Sequence, residues 1–180
     1  MLGQDLYSSE LHAEYSAEII RKYFNKHYAY LSEDLTIAEL GCGPGLLLRQ
    51  LAILFPKARL LGIDIDPSAV QAAMERDQTA LISQGSFTQT PWGDNSVDIV
   101  TSSQIYDYSE DGIFPNTYNL SALAEELRRI LTPGGVFIPV SGDYRFTYKP
   151  QSLKIFEKCG FNIINKTNLT KPYYIATTNR

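Results

Sequence analysis

Histidine, cysteine, methionine and tryptophan are all scarce in this chain: two, two, two and one among 180 residues. His12 and His27 stand apart, and neither lies at metal-ligand spacing from a cysteine, so no metal site is expected. Cys42 and Cys159 share no motif. Both read as reduced thiols of an intracellular protein, with a cytoplasmic location expected. No apolar run is long enough to span a bilayer, and no apolar signal core follows Met1, so no membrane role is expected. Basic residues show no surplus: 16 Lys and Arg stand against 20 Asp and Glu, for a formal net charge of −4. Nucleic acid is therefore a disfavoured partner overall. Neither an internal repeat nor a linker is visible, and 44% hydrophobic with 20% charged residues suits one globular domain, 1–180, with a real core.

What the chain does have is a glycine-rich turn. Thr36, Ile37 and Leu40 carry strand character. Gly41-Cys42-Gly43-Pro44-Gly45 follows, then an apolar run over 46–55 that reads as a helix halted by Pro56. Alternate glycines let a backbone approach a ligand and adopt positive φ. The first N–H groups of the helix would point back at that ligand. Glu39 sits just before the turn, at the carboxyl end of the strand, where open α/β sheets bind ligands. The pattern is G-x-G-x-G with Leu46 next, whereas a dinucleotide fingerprint requires G-x-G-x-x-G. No lysine follows, which excludes a P-loop. The segment resembles the E/D-x-G-x-G-x-G motif of class I S-adenosylmethionine (SAM) dependent methyltransferases.

In order, residues 10–31 read as an amphipathic helix within an N-terminal cap segment, 1–31. This helix either covers one edge of the sheet or folds Tyr7, His12 and Tyr15 over a ligand. Residues 59–64 read as a second strand ending in Asp64, and Asp66-Pro67 as a helix start. Leu81 and Ile82 mark a third strand, and Val97 to Val100 a fourth. Leu120, Leu123, Ala124, Leu127, Ile130 and Leu131 form a helical stripe stopped by Pro133-Gly134-Gly135. Val136 to Val140 read as a fifth strand, with Pro139 awkward inside it. Pro150 opens a last helix, capped by Gly160. Residues 162–167 and 173–177 read as an antiparallel pair. Strands alternating with helices imply a parallel sheet covered on both faces.

Further segments extend the resemblance over nearly the whole chain. Leu61-Gly62-Ile63-Asp64 is similar to the family's second motif, Thr90-Pro91-Trp92-Gly93-Asp94-Asn95-Ser96-Val97-Asp98 to its L-P-F-x-D-x-S-F-D segment, and Glu126 to Gly135 to its E-x-x-R-V-L-K-P-G-G segment. The resemblance, to small single-domain members of the type 11 kind, implies a Rossmann-like doubly wound sandwich. Its mostly parallel seven-stranded sheet would have the order 3-2-1-4-5-7-6, the last strand antiparallel. It implies SAM as cofactor and S-adenosylhomocysteine as product. The implied cofactor set is Glu39, Gly41, Cys42, Gly43, Gly45, Asp64, Ile65, Ser86, Phe87 and Ser103. In it Asp64 would hold both ribose hydroxyls, while Ile65 and Phe87 would pack on the adenine. Ser86 stands where the family commonly has an acid for the adenine amino group.

Methyl transfer needs an aligned, desolvated nucleophile and the management of one proton. Asp107 is the candidate base, with Tyr106 and Tyr108 as orienting groups, just past the fourth strand. Asp143-Tyr144-Arg145, after the fifth strand, is a further candidate for the substrate wall. The Asp/Asn-Pro-Pro-Tyr motif of amino-group methyltransferases is absent, which disfavours nucleic-acid nitrogens. A small-molecule acceptor is expected, covered either by residues 1–15 and 104–118 or by a partner subunit of a homo-oligomer. Two other readings stand beside this one: a catalytically silent SAM-binding or interaction protein, and an NAD(P)-binding oxidoreductase, which Leu46 disfavours.

Overall fold

A computed structural model describes residues 10–27, 34–76, 79–103, 117–140, 150–166 and 173–178. The elements are α1 (Glu10–His27), β1 (Thr36–Leu40), α2 (Leu46–Leu54), β2 (Arg59–Asp64), α3 (Pro67–Arg76), β3 (Leu81–Gln84), β4 (Val97–Ser102), α4 (Thr117–Ile130), β5 (Leu131–Pro139), α5 (Pro150–Lys158), β6 (Phe161–Lys166) and β7 (Tyr173–Thr178). The seven strands form one sheet in the order β3-β2-β1-β4-β5-β7-β6. β1 to β5 pair in parallel, and β7 runs antiparallel to both β5 and β6. Both the order and the antiparallel strand are those the resemblance implies.

Side chains of period two build the two faces. On one face Ile37, Leu60, Ile99, Val136 and Ile138 join Ala17 and Ile20 of α1 and Leu48 and Leu51 of α2. On the other, Ala38, Leu40, Leu61, Ile63, Val100 and Phe137 join Leu123 and Leu127 of α4 and Phe156 of α5. The inner strands are apolar on both faces, as strands covered by helices on both sides must be. α1 packs beside α2 and puts Ala17 and Ile20 into the same cluster, on one face of the sheet.

α1 and α2 run side by side in the same direction. Glu10 meets Arg49 at 3.5 Å near their N-terminal ends, while Phe24 meets the Phe55 ring edge-on at 5.5 Å near the other. A groove of about 310 Å³ lies at that lower end, lined in part by Phe24, Leu35, Leu54 and Phe55. It is remote from the glycine turn.

Two local outcomes depart from the periodic pattern. Leu131, which extends the helical stripe, is instead the first residue of β5 and pairs with Val97. Pro133 biases the residue before it toward extended backbone, so the helix ends early. The register moves from Val97↔Leu131 to Ile99↔Val136, so the Pro-Gly-Gly segment is accommodated as an irregularity between them. Pro139 is tolerated for a directional reason. The Val140 N–H donates to the Ser102 carbonyl at 2.8 Å, so by alternation the Pro139 nitrogen faces β7, whose registered pairs with β5 are Val136 and Phe137.

The end of α4 is satisfied by a loop rather than by a C-cap glycine. Asn95 and Ser96 donate their N–H groups to the carbonyls of Arg129 and Ile130, at 2.9 and 2.8 Å. Arg129 holds that loop in place. Its guanidinium donates to both Glu126 carboxylate oxygens at 2.9 and 2.6 Å, to the Trp92 carbonyl at 2.8 Å and to Asp94 at 2.8 Å. Glu126, buried, also accepts from the Thr90 N–H at 2.7 Å and hydroxyl at 2.6 Å. Burial pushes its carboxyl up, but the bonds from Arg129 and Thr90 outweigh that and hold it below the usual range. The two motif segments around Trp92 and Glu126 are thus two halves of one clamp. Arg129→Ala leaves Glu126 without its cation and is expected to lower stability by about 3 kcal/mol. For a chain of this size that lowers Tm by roughly 6–12 °C, read by thermal denaturation. A loss under about 1 kcal/mol would reduce the clamp to a solvated surface pair.

Candidate active site

The glycine turn is built by neighbours on both sides. Gly41, Gly43 and Gly45 have φ of 66°, 50° and 77°, the left-handed region that β-carbons disfavour. Their positions do different work. Among the described residues, apart from its chain neighbours, nothing lies within 4 Å of where a Gly43 Cβ would sit, so that side of the turn is open to a ligand. A Cβ on Gly45 would meet the Ala73 Cβ at 3.2 Å, so this glycine lets the turn pack on α3. Arg76, one turn further along α3, donates its Nε–H to the Pro44 carbonyl at 2.9 Å. α2 begins without a side-chain cap on its N-terminal N–H groups.

Asp64 ends β2 beside the turn. One carboxylate oxygen accepts the Gly43 N–H at 2.7 Å and the other the Asp66 N–H at 3.0 Å. Its carbonyl accepts the Gly85 N–H at 2.9 Å, which draws the end of β3 to the same place. Each carboxylate oxygen keeps further lone-pair capacity. Asp64 is half-buried and Ile65 beside it is 75% exposed. Ser86 is exposed, and its oxygen accepts the Thr88 N–H at 3.2 Å and shares a hydrogen bond with the Thr88 hydroxyl at 2.8 Å. Phe87 is half-buried and leans on the core of the α4 face.

Glu39 lies deeper. It is 1% exposed, on the face that α2 covers. The Ser103 hydroxyl, at the end of β4, donates to its Oε1 at 3.1 Å, while among the described residues no donor reaches Oε2. Burial pushes its carboxyl up to about 8; Asp64 adds to the rise, and the Ser103 bond and the Leu48 amide oppose it. Between pH 4.5 and about 8 the folded protein thus keeps a proton that the unfolded chain gives up, so this group lowers stability as pH rises through that window.

Cys42 gives only its backbone to the turn. Its N–H donates to the Ile63 carbonyl at 3.0 Å, and its thiol is buried in the core, where burial pushes its pKa up. On α1, His12 is half-buried and Tyr15 is 40% exposed, near the end that meets Arg49. Tyr7, Tyr106, Asp107, Tyr108, Asp143, Tyr144 and Arg145 lie outside the described residues.

The structure thus brings Glu39, Gly43, Asp64 and Ser103 together at the carboxyl ends of β1, β2 and β4. Sequence reasoning missed Arg76 altogether; it placed Ala73 only on an apolar helix face and Gly62 only within the second motif. Ala73 and Arg76 carry a faint signal, an i, i+3 spacing on α3. Gly62 is a strand glycine whose added Cβ would meet Leu48 at 2.7 Å, Ile82 at 2.8 Å and Cys42 at 3.0 Å.

These groups fit an adenosyl amino acid. Asp64 offers acceptors for a diol, Gly43 offers bare backbone, and the Oε2 of Glu39, without a donor among the described residues, can take one. Known proteins agree. A methyltransferase-domain family profile matches residues 38–138. A malonyl-[acyl-carrier protein] O-methyltransferase of Legionella pneumophila is 28% identical over 103 residues, covering 55% of this chain and 33% of that protein. An uncharacterized methyltransferase of Schizosaccharomyces pombe is 27% identical over 144 residues, covering 74% of this chain and 48% of that one. The chain therefore spans between a third and a half of the length of these curated relatives. Among solved structures, the geranyl diphosphate C-methyltransferase of Streptomyces coelicolor, in complex with Mg2+, geranyl diphosphate and S-adenosyl-L-homocysteine, shares the fold. Its TM-score is 0.64 at 13% identity, over 91% of this chain and 80% of that one. None of these relatives favours an NAD(P)-dependent oxidoreductase.

Proposed function

The chain belongs to the class I SAM-dependent methyltransferase family, and on that premise we propose that it transfers a methyl group from SAM to a small-molecule acceptor. The observation that carries this reading is the conjunction of an open Gly43 backbone, the Asp64 carboxylate and an oxygen of buried Glu39 that has no partner among the described residues. In this reading Asp64 holds the ribose hydroxyls, and the backbone of Gly41 to Gly45 receives the amino-acid portion. Ile65 and Phe87 flank the adenine, and Ser86 offers it a neutral contact in place of an acid. Bound SAM supplies an electrophilic methyl on a leaving group that departs neutral. What the protein must add is alignment, exclusion of water and, for an acceptor that carries one, removal of a proton. We assign that proton to Asp107, with Tyr106 and Tyr108 orienting the acceptor.

A small acceptor is favoured by the negative net charge and by a structural neighbour solved in complex with geranyl diphosphate. Residues 1–15 and 104–118, or a second subunit of a homo-oligomer, would cover it. A cytoplasmic location belongs to the same proposal. Two free cysteines support it, and among the described residues no helix is long and apolar enough to cross a membrane. One observation favours a second reading, a SAM-binding protein without turnover: exposed Ser86 stands in the acid's place.

Thermal shift with SAM, S-adenosylhomocysteine, NAD and NADP is the decisive first measurement. The first two at a hundred times Kd are expected to stabilise the chain by about 2.7 kcal/mol, and the dinucleotides not at all. Stabilisation by NAD alone would overturn the assignment. SAM binding without methyl transfer across an acceptor screen would select the second reading.

A further inference from the structure

Glu39 poses a question that cofactor binding alone does not answer. Its side chain is almost fully buried, yet among the described residues one carboxyl oxygen has no donor. Among the described residues, the groups around it offer no compensating charge. β2 presents Asp64, an acid; the turn presents the Cys42 thiol; β4 presents the neutral Ser103 hydroxyl; and α2 presents the Leu48 amide. Among the described residues no cation contributes to its state. A buried carboxylate without a cation or a full set of donors is costly, so the group keeps its proton instead.

The ligand of the proposed site is itself a source of charge. SAM and S-adenosylhomocysteine both carry an α-ammonium, and the adenosine portion of neither is charged. We propose that Glu39 is a neutral acid in the ligand-free protein and surrenders its proton when the cofactor's ammonium is seated, so that each cofactor bound releases one proton. This rests on the reading of the turn as a cofactor site. The O–H bond breaks, its electron pair stays on the carboxyl oxygen and the proton passes to solvent. The ammonium then donates to the carboxylate that remains. An ion pair replaces a neutral acid, and no co-reactant is consumed.

The sign of the linkage follows. Below the pKa of about 8 the ligand-free protein holds a proton that the complex does not, so affinity rises with pH and levels off above it. Well below that value Kd falls about tenfold for each pH unit.

Isothermal titration calorimetry of the full chain with S-adenosylhomocysteine, in buffers of different ionisation heat, counts the protons. We expect release of about one proton per ligand at pH 6.5 and about half of one at pH 8. 5′-Methylthioadenosine carries the adenosine without the ammonium and is expected to bind with no release. Glu39→Gln is expected to abolish the release and flatten the pH dependence of Kd. Binding of S-adenosylhomocysteine without proton exchange at pH 6.5 would overturn the proposal while leaving the cofactor site standing. So would equal release with methylthioadenosine, or release that persists in Glu39→Gln. If that variant fails to fold or bind, the comparison of the two ligands on the wild-type chain decides alone. Absence of any S-adenosylhomocysteine binding would instead overturn the cofactor site, and this linkage with it.

Discussion

Asp64→Ala is expected to weaken SAM binding by roughly 10²–10⁴-fold, the equivalent of about 3–6 kcal/mol. The figure comes from two ribose hydroxyls that donate to a carboxylate, each bond contributing about 1.5–3 kcal/mol. The structure adds a second source of loss. Asp64 also accepts the Gly43 and Asp66 N–H groups at 2.7 and 3.0 Å, so its removal loosens the turn that the cofactor meets. Asp64→Asn divides the loss, because the amide gives up the charge and keeps one acceptor oxygen, enough for only one of the two backbone N–H groups. Ser86→Ala is the control. It removes at most one neutral contact, about 0.5–1.5 kcal/mol, from a side chain already bonded to Thr88. Titration calorimetry of the three variants reads the order directly. A larger loss at Ser86 than at Asp64 would move the ribose elsewhere.

Gly43→Val is expected to leave no measurable SAM binding in a chain that still folds. Two causes act together. At φ 50° a β-branched residue is strained, at a cost of about 1–2 kcal/mol to the fold. That cost is common to free and bound protein and does not by itself weaken binding. The second cause does. The added side chain would project where, among the described residues, nothing beyond its chain neighbours lies within 4 Å, the side on which the proposed ligand rests. Substitution at Gly45 should behave differently, because its β-carbon would press on Ala73 and disturb the packing of α3. Circular dichroism confirms the fold and calorimetry reads the binding. A folded Gly43→Val that binds SAM normally would show that the ligand does not rest on this turn.

The chain itself determined a great deal, because the relevant signals are local. The turn from Gly41 to Gly45 was legible as a strand–turn–helix because positive φ and missing β-carbons are properties of single residues. The alternating apolar strands and the α4 stripe were legible because burial on one face imposes a period of two or 3.6. The sheet order came from resemblance to a family rather than from residue chemistry, and the structure has the same order.

What only the tertiary structure decided depends on groups distant in sequence. Ser103 reaches Glu39 across 64 positions, and nothing in Ile37-Ala38-Glu39-Leu40 says that one carboxyl oxygen will lack a donor. Cys42 sits in the glycine motif, yet its thiol faces the core beside Gly62, because the turn folds back onto β2 through its N–H bond to Ile63. Leu131 reads as helix by period and is strand because Val97 takes it as a partner and the loop at Asn95 closes the helix end. Arg129 is visible in sequence as part of the E-x-x-R segment, but its partners Trp92, Asp94 and Thr90 meet it only in the folded chain. Periodicity reports which face of an element is buried. It does not report which polar groups that burial brings together, and those encounters set the charge state of Glu39 and the order of the site around it.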